Sequence, residues 1–140
     1  MVFAFGGGVL KENEITRGII GAAIEVHRTL GGPGLLESVY EEALTWELRE
    51  RGFQVDRQLA LPIRYKGRPL ASPLRVDMLV ENAVVVENKA TTQHNPIYEA
   101  QVLTYLRLLD LRVGLVINFG QRTVKDGVHR VINSTGKGAQ

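Results

Sequence analysis

A chain of 140 residues, 44% hydrophobic and 23% charged, has the size and balance of a single domain with its own core. It has no cysteine, which excludes disulfides and thiolate zinc sites and fits a reducing, cytoplasmic setting. The net charge of +2 decides nothing about a nucleic-acid partner, and no stretch approaches the apolar length of a membrane span.

Residues 1–12 are apolar and glycine-rich but lack the basic start and small-residue cleavage pattern of a signal peptide, so they read as a loose arm. The domain is expected over 13–133, with a tail at 134–140. Asn13 suits the N-cap of a helix running to Leu30, with Ile15, Ile19, Ala22, Val26 and Leu30 as its apolar stripe. Gly31-Gly32-Pro33-Gly34 ends it. A second helix is expected from Leu35 to Arg51, facing the core with Leu36, Val39, Tyr40, Ala43, Leu44 and Leu48, and closed by Gly52. Glu41, Glu42 and Glu47 read as its solvated charges.

Strand-like segments follow at Phe53–Val55 and Ala60–Tyr65, with a turn at Lys66-Gly67. Two more strands are expected at Arg75–Val80 and Val84–Ala90. Pro96 opens a third helix, with Ile97, Ala100, Thr104 and Leu108 along one side. Val113–Phe119 reads as a buried strand, and Thr123–Lys125 with Val128–Ile132 as a hairpin turning at Asp126-Gly127. The tail from Asn133 reads as frayed. This order predicts a mixed α/β fold, a central sheet with helices packed on its faces.

The chemistry concentrates in Arg75–Lys89, where Asp77, Glu87 and Lys89 interrupt runs of aliphatic strand residues. A charged side chain in a buried strand is costly unless it is paired or binds a metal. Glu87 and Lys89, two apart, share a face, while Asn88 points the other way. Whether Asp77 joins them depends on the connecting turn. A three-residue loop at Glu81–Ala83 sets Asp77 opposite Glu87, whereas a two-residue Asn82-Ala83 turn sets it opposite Asn88. A salt bridge on a wet sheet face would account for Glu87 and Lys89 equally well. His27 reads as a structural histidine of the first helix. His94 and His129 have no partners at metal-ligand spacing and are assigned no chemistry.

Gly34, Glu37 and Tyr40 match the signature of the GxxExxY family. The resemblance continues through Asp77, Glu87-Asn88-Lys89, Glu99-Ala100-Gln101, Tyr105 and Gly114–Gly120, so it covers roughly Glu14 to Asn133. That family resembles a branch of the PD-(D/E)XK nuclease superfamily. The resemblance implies a restriction-endonuclease-like core and a metal-dependent nuclease. Asp77 and Glu87 would hold Mg2+, or Mn2+ in its place, and Lys89 would orient the attacking water or stabilise the charged phosphate. Glu37 would be a further carboxylate brought by the second helix. Gln101 would be the polar residue of the helix after the catalytic strands, with Tyr105 supporting it. Asn88 departs from the aliphatic residue expected between the two charges, which bears on packing more than on catalysis. The implied substrate is nucleic acid, DNA ahead of RNA, and a homodimer would help so small a domain grip a duplex. The alternatives are a binding or interaction module that keeps the fold without turnover, and a regulatory protein whose charges form only a salt-bridge network.

Overall fold

Val84, Val85 and Val86 are all fully buried, because the strand they begin lies at the centre of a sheet covered on both faces. The structure, a computed structural model, describes residues 8–138. In chain order the elements are α1 (Gly8–Thr29), α2 (Glu37–Glu50), β1 (Val55–Leu61), β2 (Arg64–Tyr65), β3 (Arg68–Pro69), β4 (Leu74–Val80), β5 (Val84–Lys89), α3 (Ile97–Leu109), β6 (Val113–Asn118), α4 (Val124–Gly127) and β7 (Val128–Ile132). The main sheet runs β1-β4-β5-β6-β7, and β2 and β3 form a separate small hairpin. Only β5 and β6 pair in parallel, with α3 as the crossover between them. Among the described residues, no helix is long and apolar enough to cross a membrane.

Two cores sandwich the sheet. On one face Ile15 and Ile19 of α1 and Tyr40 and Leu44 of α2 pack on Met78, Val80, Val84, Val86, Leu115 and Ile117. On the other, Val102, Tyr105 and Leu106 of α3 pack on Leu79, Val85 and Val116. Gly114 permits that second contact, since a Cβ there would run into the Val102 side chain.

Several boundaries differ from expectation, each for a visible reason. No cap forms at Asn13, because α1 already starts at Gly8 and Asn13 lies inside it, taking a hydrogen bond from Arg130. The preceding Glu12 is 1% exposed and paired with Arg112 at 2.6 Å, so the expected arm is helical over 8–12, and its residues 1–7 lie outside those described. In α2 the inward residues are Tyr40, Glu41, Leu44, Thr45 and Leu48, whereas Leu36 and Val39 are exposed. The stripe expected on α3 is also turned: Ile97, Thr104 and Leu108 are exposed, and Val102, Tyr105 and Leu106 take the core.

The two strand-like segments before Lys66 are one strand, β1, followed by the β2–β3 hairpin, whose turn does fall at Lys66-Gly67. The expected last hairpin is instead a helical turn, α4, capped by Thr123 Oγ1, which accepts from the Asp126 amide at 3.2 Å. β7 then pairs with β6. Nor is the tail frayed over its described part. Asn133 is buried and bonds the Leu111 carbonyl, and the amides of Lys137 and Gly138 bond Asp110.

Candidate active site

The loop joining β4 to β5 is the three-residue one. Val80 pairs with Val84, Leu79 with Val85 and Met78 with Val86. Glu81 and Asn82 turn the chain with φ of 55° and 52°. One step further along this register Asp77 faces Glu87, and the charge of Asp77 acts on the Glu87 carboxyl. Lys89 Nζ lies 3.6 Å from Glu87 Oε2. Asp77, Glu87 and Lys89 thus converge on the α3 face of the sheet.

Asp77 sits where β4 is irregular. β1 and β4 pair at Arg57–Met78 and at Leu59–Val76, but not at Gln58 and Asp77 between them. Gln58 has a φ of 50°, and the alternation of β4 breaks here: Met78 and Val80 join one core, Val76 the other. Such local breaks re-aim a side chain. Asp77 Oδ2 accepts the Asn88 amide at 2.9 Å, so its carboxylate continues the ladder that the backbone has left.

Electrostatics set this cluster apart from a surface salt bridge. Glu87 is 6% exposed, and its Oε1 is buried without a hydrogen-bond partner among the described residues. Burial, then the charge of Asp77, push its carboxyl up to about 7, against the pull of Lys89. Burial also raises Asp77. The Asn88 amide opposes that rise, and the charges of Glu41 and Glu37 add to it. Tyr105 is raised by burial, and the Glu87 and Asp77 charges add to that rise. Lys89 Nζ also lies 4.7 Å from the Tyr98 ring centroid, a cation–π contact.

Glu37 stands exposed at the first position of α2, near enough for its charge to act on Asp77. The preceding turn holds it there. Gly34 has a φ of 117°, and the Tyr40 hydroxyl donates to Gly32 O at 2.7 Å and accepts from the Leu35 amide at 3.2 Å. Gln101 is exposed and makes no hydrogen bond among the described residues. It lies between Tyr98 and Tyr105 on the stripe of α3 that borders the cluster, with no hydrogen bond to Lys89 among the described residues.

Other participants were not legible in the sequence. Glu41, expected to be solvated, is 5% exposed and accepts hydrogen bonds from Arg57 and Gln58, so β1 partners a buried carboxylate whose charge also acts on Asp77. Asn118, paired with Lys89 across the parallel strands, is fully buried; its Oδ1 accepts the amides of Thr91 and Gly120 and so fixes the chain as it leaves Lys89. Asn88 is fully buried and donates to Met78 Sδ at 3.1 Å, filling its position with a weak polar contact. His27 has the structural part expected, bonding the carbonyls of Phe119 and Gln121 through Nε2.

A model of the PD-(D/E)XK nuclease superfamily matches residues 13–131. The chain belongs to the PD-(D/E)XK nuclease superfamily. No curated protein and no solved structure matches it. The five-stranded mixed sheet flanked by helices is the restriction-endonuclease-like core of that superfamily, whose members act on nucleic acid and usually use divalent metal ions. The residues present fit such an ion. Two carboxylates face one another, Glu87 buried and Asp77 half-buried, and the Glu87 oxygen left without a partner among the described residues is a hard donor.

Proposed function

We propose that the chain is a metal-dependent nuclease that hydrolyses phosphodiester bonds through Asp77, Glu87 and Lys89. The observation that carries this reading is the buried Glu87 carboxylate, lying against Asp77 with one oxygen unpartnered and a lysine alongside. An arrangement of that kind is costly in an apolar strand unless a cation completes it. Asp77 and Glu87 would hold Mg2+, with Mn2+ as a substitute. Such a cation supplies the charge that acidifies a water and neutralises the scissile phosphate. Lys89 would orient the attacking water or stabilise charge growing on the phosphate. Glu37 would add a carboxylate beside Asp77, and Gln101, backed by Tyr105, an amide at the same opening.

Within the superfamily we assign the chain to the GxxExxY branch. The support is local: Gly34 adopts a backbone angle that favours glycine, and Tyr40 ties down the turn that leads to Glu37. DNA is the proposed substrate ahead of RNA, gripped by a homodimer.

The test measures Mg2+ affinity by calorimetry and cleavage of DNA and RNA on the same preparations of parent, Glu87→Gln and Lys89→Ala. Glu87→Gln should lose both. Lys89→Ala should keep the metal and lose turnover by about 100-fold or more, the scale for removing a group that acts on transition-state charge. Equal cleavage by parent and Lys89→Ala would mean a contaminating nuclease and would leave the binding-module reading in its place.

A further inference from the structure

Three residues that sequence spacing left without chemistry meet at one point. His94 lies in the β5–α3 connection, Glu99 in the first turn of α3 and His129 on the edge strand β7. One ligand atom from each lies within 4.8 Å of the other two. His94 Nε2 is 2.5 Å from Glu99 Oε1, and the His94 ring stacks on His129 with centroids 3.8 Å apart and 23° between planes. We propose that His94, Glu99 and His129 form a second metal site, for a borderline divalent cation of the Zn2+ type.

The ligand chemistry separates it from the carboxylate pair. Two imidazoles and one carboxylate suit Zn2+, Co2+ or Ni2+, whereas Mg2+ takes oxygen ligands. Metal–ligand bonds of about 2.0–2.2 Å require donors gathered within a few ångströms; these lie within 4.8 Å, and a turn of the stacked rings brings them onto one ion. A hydrogen-bonded His94–Glu99 pair needs no second imidazole, yet His129 is brought beside it from the far edge of the sheet. Three protein donors leave one tetrahedral position for water or an exchangeable ligand.

The donors are supported from behind. Asn95 Oδ1 accepts the Ile97 amide at 3.0 Å, and Gln121 Nε2 donates to Thr92 O at 3.2 Å, holding both sides of His94. Glu87 pairs with Val116, and Val116 with His129, so the two sites occupy one row of the sheet on the same face. Two strand spacings put their backbones about 10 Å apart. Tyr98 lies between them, its ring edge-on to His94 and near Lys89 Nζ. A cation here would clasp β7 to the start of α3, the helix that carries Tyr98, Gln101 and Tyr105.

The test needs no nuclease activity. The full chain, free of any histidine tag and stripped with a chelator, is titrated with Zn2+ by calorimetry and with Co2+ by visible absorption. The parent should bind one equivalent with the absorption of a four-coordinate Co2+, separate from any Co2+ held by the oxygen ligands Asp77 and Glu87. His129→Ala and Glu99→Gln should each weaken binding at least tenfold, and Glu87→Gln should leave it unchanged. His94→Ala, in a connecting loop, supplies a variant outside the sheet should His129→Ala fail to fold. No four-coordinate Co2+ absorption in the parent, equal absorption in His94→Ala, or its loss in Glu87→Gln would each overturn the site. Failure of the nuclease reading would not touch it.

Discussion

At the scale of the residue, Glu87 carries most of the information about the protein. Its carboxyl holds a proton up to about pH 7 in the folded chain, against an ordinary value of 4.5. Between those values the unfolded state binds fewer protons than the folded one, so raising the pH favours unfolding. The metal-free protein should therefore keep this contribution below about pH 4.5 and lose it as pH rises through about 7. Thermal melts with chelator should show that decline in the parent and a flatter profile in Glu87→Gln. A parent profile as flat as the variant's would mean that Glu87 is solvated. Added Mg2+ should restore stability on the alkaline side, where the carboxylates are ionised.

At the scale of the element, α2 shows how the site is held. Tyr40 is fully buried, stacks on Phe119 with centroids 4.7 Å apart and joins both sides of the glycine turn. Tyr40→Phe keeps the ring and removes the hydroxyl, so it should cost about 1–3 kcal/mol, chiefly by stranding the partners of that hydroxyl. Denaturant unfolding measures it; a cost near zero would mean that the turn does not depend on Tyr40. The elements also show what a sequence reveals. The β4–β5 register was legible as alternatives because side chains alternate strictly, and the three-residue loop decided between them. The burial of Glu41 was not, because its partners Arg57 and Gln58 lie on a strand whose path depends on one left-handed residue. The early start of α1 was hidden for a related reason: Glu12 is buried only because Arg112, far along the chain, meets it. On α3, Ile97 and Leu108 gave a plausible apolar stripe, but the sheet selected Val102, Tyr105 and Leu106. His94, Glu99 and His129 belong to three elements, so no local spacing could link them.

At the scale of the molecule, basic groups are scattered, and the exposed β2–β3 hairpin gathers three of them, Arg64, Lys66 and Arg68, in one projecting turn. It follows β1 in the chain and precedes β4, the strand that carries Asp77. If it grips nucleic acid, replacing all three by alanine should weaken binding to all sequences alike. The slope of log affinity against log salt should then fall by about 0.9 per lost phosphate contact on duplex DNA. An unchanged slope would assign the grip to another surface.

The carboxylate of Asp77 has a consequence beyond chemistry, because it takes a backbone amide where the ladder stops. In effect a side chain substitutes for a peptide carbonyl in the middle of the sheet. Replacing it with alanine removes the proposed metal donor and at the same time leaves the Asn88 amide free. Amide hydrogen exchange separates the two losses. Asp77→Ala should speed exchange at Asn88 by about 10- to 100-fold, the scale of one charge-assisted hydrogen bond. Asp77→Asn, which keeps an oxygen in place, should leave exchange close to that of the parent. Only the asparagine variant reports on catalysis alone; the alanine variant also loosens the strand that carries Glu87 and Lys89.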